Sequence, residues 1–183
     1  MSKHDFEKYR GGSIRLPRYD YSQPGAYAVT IGTRNGVQLF GQVLDDKMLL
    51  NAYGQVVQDC WEETPAHFPH VGLDTFTVMP NHIHGIILIE EHDSGADDHG
   101  EEFGKSVSGS LPTIVRSFKS AVTRRINRLR GTPGGRVWQR GYYERIVRDQ
   151  RELDKFRKYI LENPVRWHLD RNNPDNTETR GRR

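Results

Sequence analysis

MPNHIHGIILI, residues 79–89, is the stretch from which the rest of the chain can be read. Pro80-Asn81 is a turn signal between two runs of strand-forming residues, LDTFTVM (73–79) and HIHGIILIE (82–90). The second run is apolar on both faces, so it predicts a strand inside a sheet. Two strands joined by so short a turn pair antiparallel.

Toward the N-terminus, AYAVTIGTRN (26–35) alternates Tyr27, Val29 and Ile31 with smaller or polar residues and predicts a further strand. VQLFGQVLDDKMLLNA reads as a hairpin turning at Asp45–Asp46. Val56, Val57, Cys60 and Trp61 sit at helical spacing in 53–64, a helix ended before Pro65. Toward the C-terminus, 90–110 is Gly/Ser-rich with seven acids and reads as a mobile surface loop. From Leu111 to about Arg130 a helix buries Ile114, Phe118, Val122, Ile126 and Leu129. A short edge strand follows at about 144–148, and a last helix over roughly 149–163, stopped by Pro164. This order predicts an α+β fold, a ferredoxin-like antiparallel sheet with helices packed on one face. The expected organisation is an extended arm (1–20), one domain (21–169) and a disordered basic tail (170–183).

The chain's 183 residues suit roughly one domain. Mean hydropathy is −0.79, and no apolar run approaches the ~20 residues of a membrane span. One cysteine, Cys60, excludes an intramolecular disulfide and a Cys-rich zinc site. With no secretory signal at the N-terminus, a cytoplasmic location is expected. Charge is unevenly placed. Residues 1–110 carry 8 Lys+Arg against 16 Asp+Glu, and residues 111–183 carry 19 against 8. The halves therefore stand at −8 and +11 within the total of +3. An Arg-rich half points to a polyanion such as nucleic acid, with a merely solvated basic surface as the alternative.

His82 and His84 project from one face of the predicted strand, with Cα atoms about 6.6 Å apart. Such a pair can chelate a divalent cation, although histidines in strands also occur as ordinary half-buried residues. On the last helix, Tyr159 and Asn163 stand one turn apart. They can equally be a boundary tyrosine and the residue that ends a helix before proline. Together the four suggest a mechanism. A cation on two neutral imidazoles and an amide oxygen keeps positions open for a phosphodiester oxygen and acts as Lewis acid. The neighbouring phenol is a nucleophile able to form a phosphotyrosine. Candidate DNA contacts are Arg116, Lys119, Arg124, Arg125 and Arg128 on the helix, and Arg136, Arg140, Tyr142 and Tyr143 in the loop after it. Arg15 and Arg18 join them from the N-terminal arm. Trp138 is read as core. GTPGGR (131–136) lacks the Lys-Ser/Thr of a phosphate loop and reads as a turn.

MPNHIHGIILI resembles the HUH motif (His, bulky apolar, His) of single-tyrosine transposases. VWQRGYYERIVRDQRELDKFRKYILENPVRW resembles their REP-associated branch, the REP-associated tyrosine transposases, and the likeness runs from about Ile14 to about Trp167. It implies a ferredoxin-like HUH fold, Mg²⁺ or Mn²⁺ on His82 and His84, and Tyr159 as nucleophile. Insertion-sequence members carry Gln as third ligand four residues after the tyrosine; here Asn163 stands in that place, as in the REP-associated branch. The implied substrate is single-stranded DNA with hairpins, REP-type palindromes for this branch. The function expected is therefore a metal-dependent single-strand DNA endonuclease and strand-transferase, a monomer or homodimer with no membrane partner. The alternative is a non-catalytic single-strand-binding module of the same fold.

Overall fold

Alternation of Tyr27, Val29 and Ile31 with smaller residues makes the strand it predicts, β1 (Gly25–Gly32). A computed structural model describes residues 19–91, 107, 109–170 and 172–176. The rest of the N-terminal arm, most of the acidic segment and the final residues 177–183 lie outside that description. The hairpin forms as β2 (Gly41–Leu44) and β3 (Lys47–Leu50), with Asp45 and Asp46 both at positive φ, as a two-residue hairpin turn requires. Next come α1 (Ala52–Glu62), the short α2 (Thr64–His67), β4 (Val71–Met79) and β5 (His82–Ile89). Pro65 both follows the end of α1 and sits in the first turn of α2, where its missing N–H costs nothing. The chain closes with α3 (Leu111–Arg130), β6 (Tyr143–Val147) and α4 (Gln150–Leu161).

The main sheet is antiparallel in the order β4-β5-β1-β6. β5 is internal, which explains why both of its faces are apolar. The α+β fold with an antiparallel sheet is as expected, but the helices do not share one face. Tyr27, Val29, Ile31, Ile83 and Ile87 pack with residues of α1 and α3. Ala28 and Ile86 face the other way, against Phe156 and Ile160 of α4. Because the pleat alternates, β5 serves both layers with one sequence.

Gly85 shows how tight the first layer is. A Cβ there would lie 2.5 Å from the Trp61 ring, which stacks on Phe76 at 4.4 Å. The stripe of α3 is buried at Ile114, Phe118, Val122 and Ile126, whereas Leu129 is 58 % exposed, in the last turn of the helix. Residues 170 and 172–176 also depart from expectation. They form successive hydrogen-bonded turns with Asn173 and Asn176 buried, rather than a disordered tail.

Candidate active site

His82 and His84 project toward α4 and are 2 % and 4 % exposed. What orients His82 is its neighbour. Asn81 Nδ2 donates to the Gly36 carbonyl at 3.0 Å and to the Asn172 carbonyl at 2.6 Å. Carbonyls only accept, so the amide nitrogen must face them and Oδ1 is turned to His82 Nδ1, 2.8 Å away. An amide oxygen also only accepts. His82 therefore carries its proton on Nδ1 and presents a bare Nε2. His84 is held by Thr30, which stands opposite it in the β1–β5 ladder with Oγ1 2.8 Å from Nδ1. The two Nε2 atoms face each other at 2.9 Å.

Burial pushes the His82 imidazole down to about 3. Burial also holds His84 well below the ordinary histidine value; a charge on His82 would add to this, and the Asp170 carboxylate opposes it. Both rings are neutral at pH 7, the form in which imidazole ligates metal. Asp170 Oδ2 lies 3.8 Å from His82 Nε2, and ligand atoms of His82, His84 and Asp170 fall within 4.8 Å of one another. With His82 Nε2 bare, His84 donates its Nε2 proton across the 2.9 Å contact between the rings. Moving the proton to His84 Nδ1, where the Thr30 hydroxyl can accept it, leaves two imidazole lone pairs and a carboxylate that fit a divalent cation with open positions. The other oxygen of Asp170 accepts from the Asn172 N–H at 2.7 Å, and the Trp167 ring lies 6.0 Å from that of His82.

Tyr159 comes from the opposite layer. Its half-buried ring sits 5.2 Å from His84 at 74°. α4 starts at Asp149, whose carboxylate accepts from the Glu152 N–H, and is tied to both edge strands of the sheet. Glu152 binds Arg145 of β6 at 3.0 Å, and Arg157 forks onto Asp74 of β4 at 2.6–3.2 Å. Asn163, 4 % exposed, donates through Nδ2 to the Tyr159 carbonyl at 3.4 Å, which leaves its amide oxygen as the atom able to ligate. A cavity of about 20 Å³ between the layers is lined by Thr30, His84, Tyr143, Phe156, Tyr159 and Ile160.

No family model matches the chain. An uncharacterised protein of Haemophilus influenzae is 38 % identical over 174 residues, 89 % of this chain and 96 % of the relative. A second protein of that organism, described as "Putative REP-associated tyrosine transposase", is 27 % identical over 136 residues, 73 % of each chain. Among solved structures, a REP-associated tyrosine transposase bound to a REP hairpin matches with a TM-score of 0.57 at 19 % identity, covering 87 % of this chain and 76 % of that one. This chain is similar in sequence and in fold to REP-associated tyrosine transposases.

The fold brings His82, His84 and Tyr159 together, while Asn163 is tied to the Tyr159 carbonyl one turn further along the chain. Tyr143 joins them. It is the first residue of β6, opposite Thr30, and not part of the loop. Tyr142 is half-buried against the α1/α3 layer. Two of the candidate DNA contacts are committed elsewhere. Lys119 Nζ donates to the Gln139 and Gly141 carbonyls at 2.9 and 2.8 Å, and Arg125 pairs with Glu63 through both guanidinium NH₂ groups. Arg116, Arg124, Arg128, Arg136 and Arg140 are exposed, and Arg15 and Arg18 lie outside the described residues. Sequence reasoning did not single out Asp170, Asn81 or Thr30. The register identifies Thr30, and Asn81 could have been suspected from its place beside His82; Asp170 carries no periodic signal at all.

Proposed function

We propose that this protein is a REP-associated tyrosine transposase, a metal-dependent single-strand DNA endonuclease and strand-transferase that works through a covalent 5′-phosphotyrosine near hairpin DNA. The observation that carries the reading is the pair of Nε2 atoms 2.9 Å apart, each ring braced at Nδ1, beneath the ring of Tyr159. His82, His84 and Asp170 would hold Mg²⁺ or Mn²⁺, with Asn163 as a further candidate ligand, and the cation would supply Lewis acidity toward a phosphodiester oxygen.

The chain's own residues do the rest. α4 holds Tyr159 on a packed element, which aims a nucleophile better than a loop does. The phenol, with a reference pKa near ~10, gives up its proton as Oη bonds to phosphorus. The bond to the 3′ oxygen breaks, a 3′ hydroxyl leaves, and the 5′ phosphate stays on Tyr159 as an ester. The ester conserves the energy of the bond, so an incoming 3′ hydroxyl can reverse the step without ATP. The exposed arginines of the basic half grip the flanking backbone. The test is a denaturing gel for a protein–oligonucleotide adduct, with and without Mg²⁺ or Mn²⁺. Tyr159→Phe should bind a hairpin oligonucleotide normally and form no adduct, while Tyr143→Phe should still form it. DNA mapped to Tyr143, or an adduct that forms with EDTA present from the start, would overturn the assignment.

A further inference from the structure

A second concave site lies outside the catalytic cluster, where the end of β1 meets the end of α3. It is a cavity of about 250 Å³ whose lining combines Arg34, Arg130 and Arg136 with Val37, Leu39 and Val137. Among the described residues no carboxylate pairs with any of these arginines. Arg130 is oriented by Asn127, whose Oδ1 accepts from its Nε and Nη2 at 3.0 and 2.6 Å, while Asn127 Nδ2 is anchored on the Gly135 carbonyl. Arg34 and Val137 are held together by backbone. Arg34 N–H donates to Val137 O at 2.8 Å, and Asn35 turns the chain in the left-handed region at φ 58. Val37 is 55 % exposed at this cavity, an apolar side chain that the core does not use.

The site is joined to the histidines. Gly32 is the ladder partner of His82, and Arg34 follows two residues later, about 7 Å of backbone. Thr33 N–H donates to Asn81 O at 2.8 Å, and Asn81 Nδ2 donates to Gly36 O at 3.0 Å. One residue therefore touches both the turn that carries Arg34 and the ring of His82.

We propose that this cavity takes one nucleotide of the single strand that flanks the cleaved phosphate. Its phosphate lies on Arg34 and Arg136, and its base lies against Val37, Leu39 and Val137. Guanidinium groups bind phosphate oxygens in forked pairs, and an apolar wall accepts any base without reading its edge. The volume falls just below the ~300 Å³ at which sites for whole small molecules begin, which suits part of a chain held on both sides. A bare anion would satisfy the arginines but leaves Val37 without a role. The inference rests on the DNA-processing reading above, and its test separates the two.

The probe is a fluorescein-labelled, mixed-sequence single-stranded DNA of about 20 nucleotides, more than one strand-binding site long. Affinity is read by anisotropy across a salt series. Arg34→Ala/Arg136→Ala should weaken binding about tenfold and flatten the slope of log K against log salt by about 1.4, some 0.7 for each phosphate that is no longer neutralised. Val37→Glu, which places a carboxylate at the apolar wall, should weaken binding by a similar factor with an unchanged thermal melt. Wild-type affinity in both variants overturns the proposal while the catalytic reading stands. Weaker binding in the arginine variant with none in Val37→Glu overturns the nucleotide and leaves an anion site only. Failure of the unmodified protein to bind the probe sinks the functional reading, and the pocket with it.

Discussion

Replacing Asn81 with alanine removes the acceptor on His82 Nδ1 and both donors that hold the amide in place. His82 is then able to put its proton on Nε2, where a ligand lone pair is needed. Partners of this kind are typically worth 10- to 100-fold in metal affinity. Titration calorimetry with Mn²⁺ should show that loss in Asn81→Ala, and an unchanged affinity would remove Asn81 from the site. The histidines also predict a pH dependence. In the unfolded chain they take up protons near pH 6.5, whereas in the fold His82 waits until about pH 3 and His84 is likewise depressed. Between those values the unfolded state binds more protons, so stability falls as pH drops below about 6.5. The slope reaches up to about 1.4 kcal/mol per pH unit for each ring. Urea midpoints of the metal-free protein should therefore drop from pH 7 to pH 5, and His82→Gln/His84→Gln should flatten the decline.

At the scale of the element, α4 is the part whose placement decides the chemistry, and its apolar contact is small. Its cluster has four buried members: Ala28, Ile86, Phe156 and Ile160. The fork of Arg157 on Asp74 compensates, and holds the Asp74 carboxyl down at about 2. A depressed carboxyl stabilises the fold above its unfolded value near ~3.9, and that contribution is lost as pH falls through about 2. Asp74→Asn should melt below the wild type at pH 7, with the gap closing between pH 4 and pH 2. A gap that persists at low pH would show that poorer packing, not charge, is responsible. The elements themselves were legible. A period of two revealed β1 and the histidine pair on β5, and helical spacing revealed α3, α4 and Tyr159. What escaped depends on partners far along the chain. Lys119 looks like any helical cation until the Gln139 and Gly141 carbonyls arrive beneath it. Asp170 follows a 3-10 turn at Trp167–Leu169, where no period exists to betray which way a side chain points.

Across the whole molecule the two faces of the sheet are unequal. α1 and α3 cover one with a continuous core that includes Trp61, Phe118 and Trp138; α4 packs on the other, with the turns after it at Trp167 and Asp170 beside His82. Local opening follows the amount of apolar contact to be broken. Amide exchange should accordingly run faster across residues 150–161 than across 111–130, and the difference should shrink when Mn²⁺ is added. Equal protection in the two helices would mean that the ion pairs at the sheet edges hold α4 as firmly as a core does.

Asn81 joins three stretches of chain that leave the ribosome at different times: the turn at 34–36, the strand beginning at His82, and the carbonyl of Asn172. Translation proceeds at about 5–20 residues per second, and Asn172 follows Asn81 by 91 residues. Tyr159 and Asp170 arrive late as well. A half-made chain can therefore display its histidines without a fully braced His82 or the carboxylate and phenol beside it. The order of residues along the chain leaves the histidine site unbraced until Asn172 has been made.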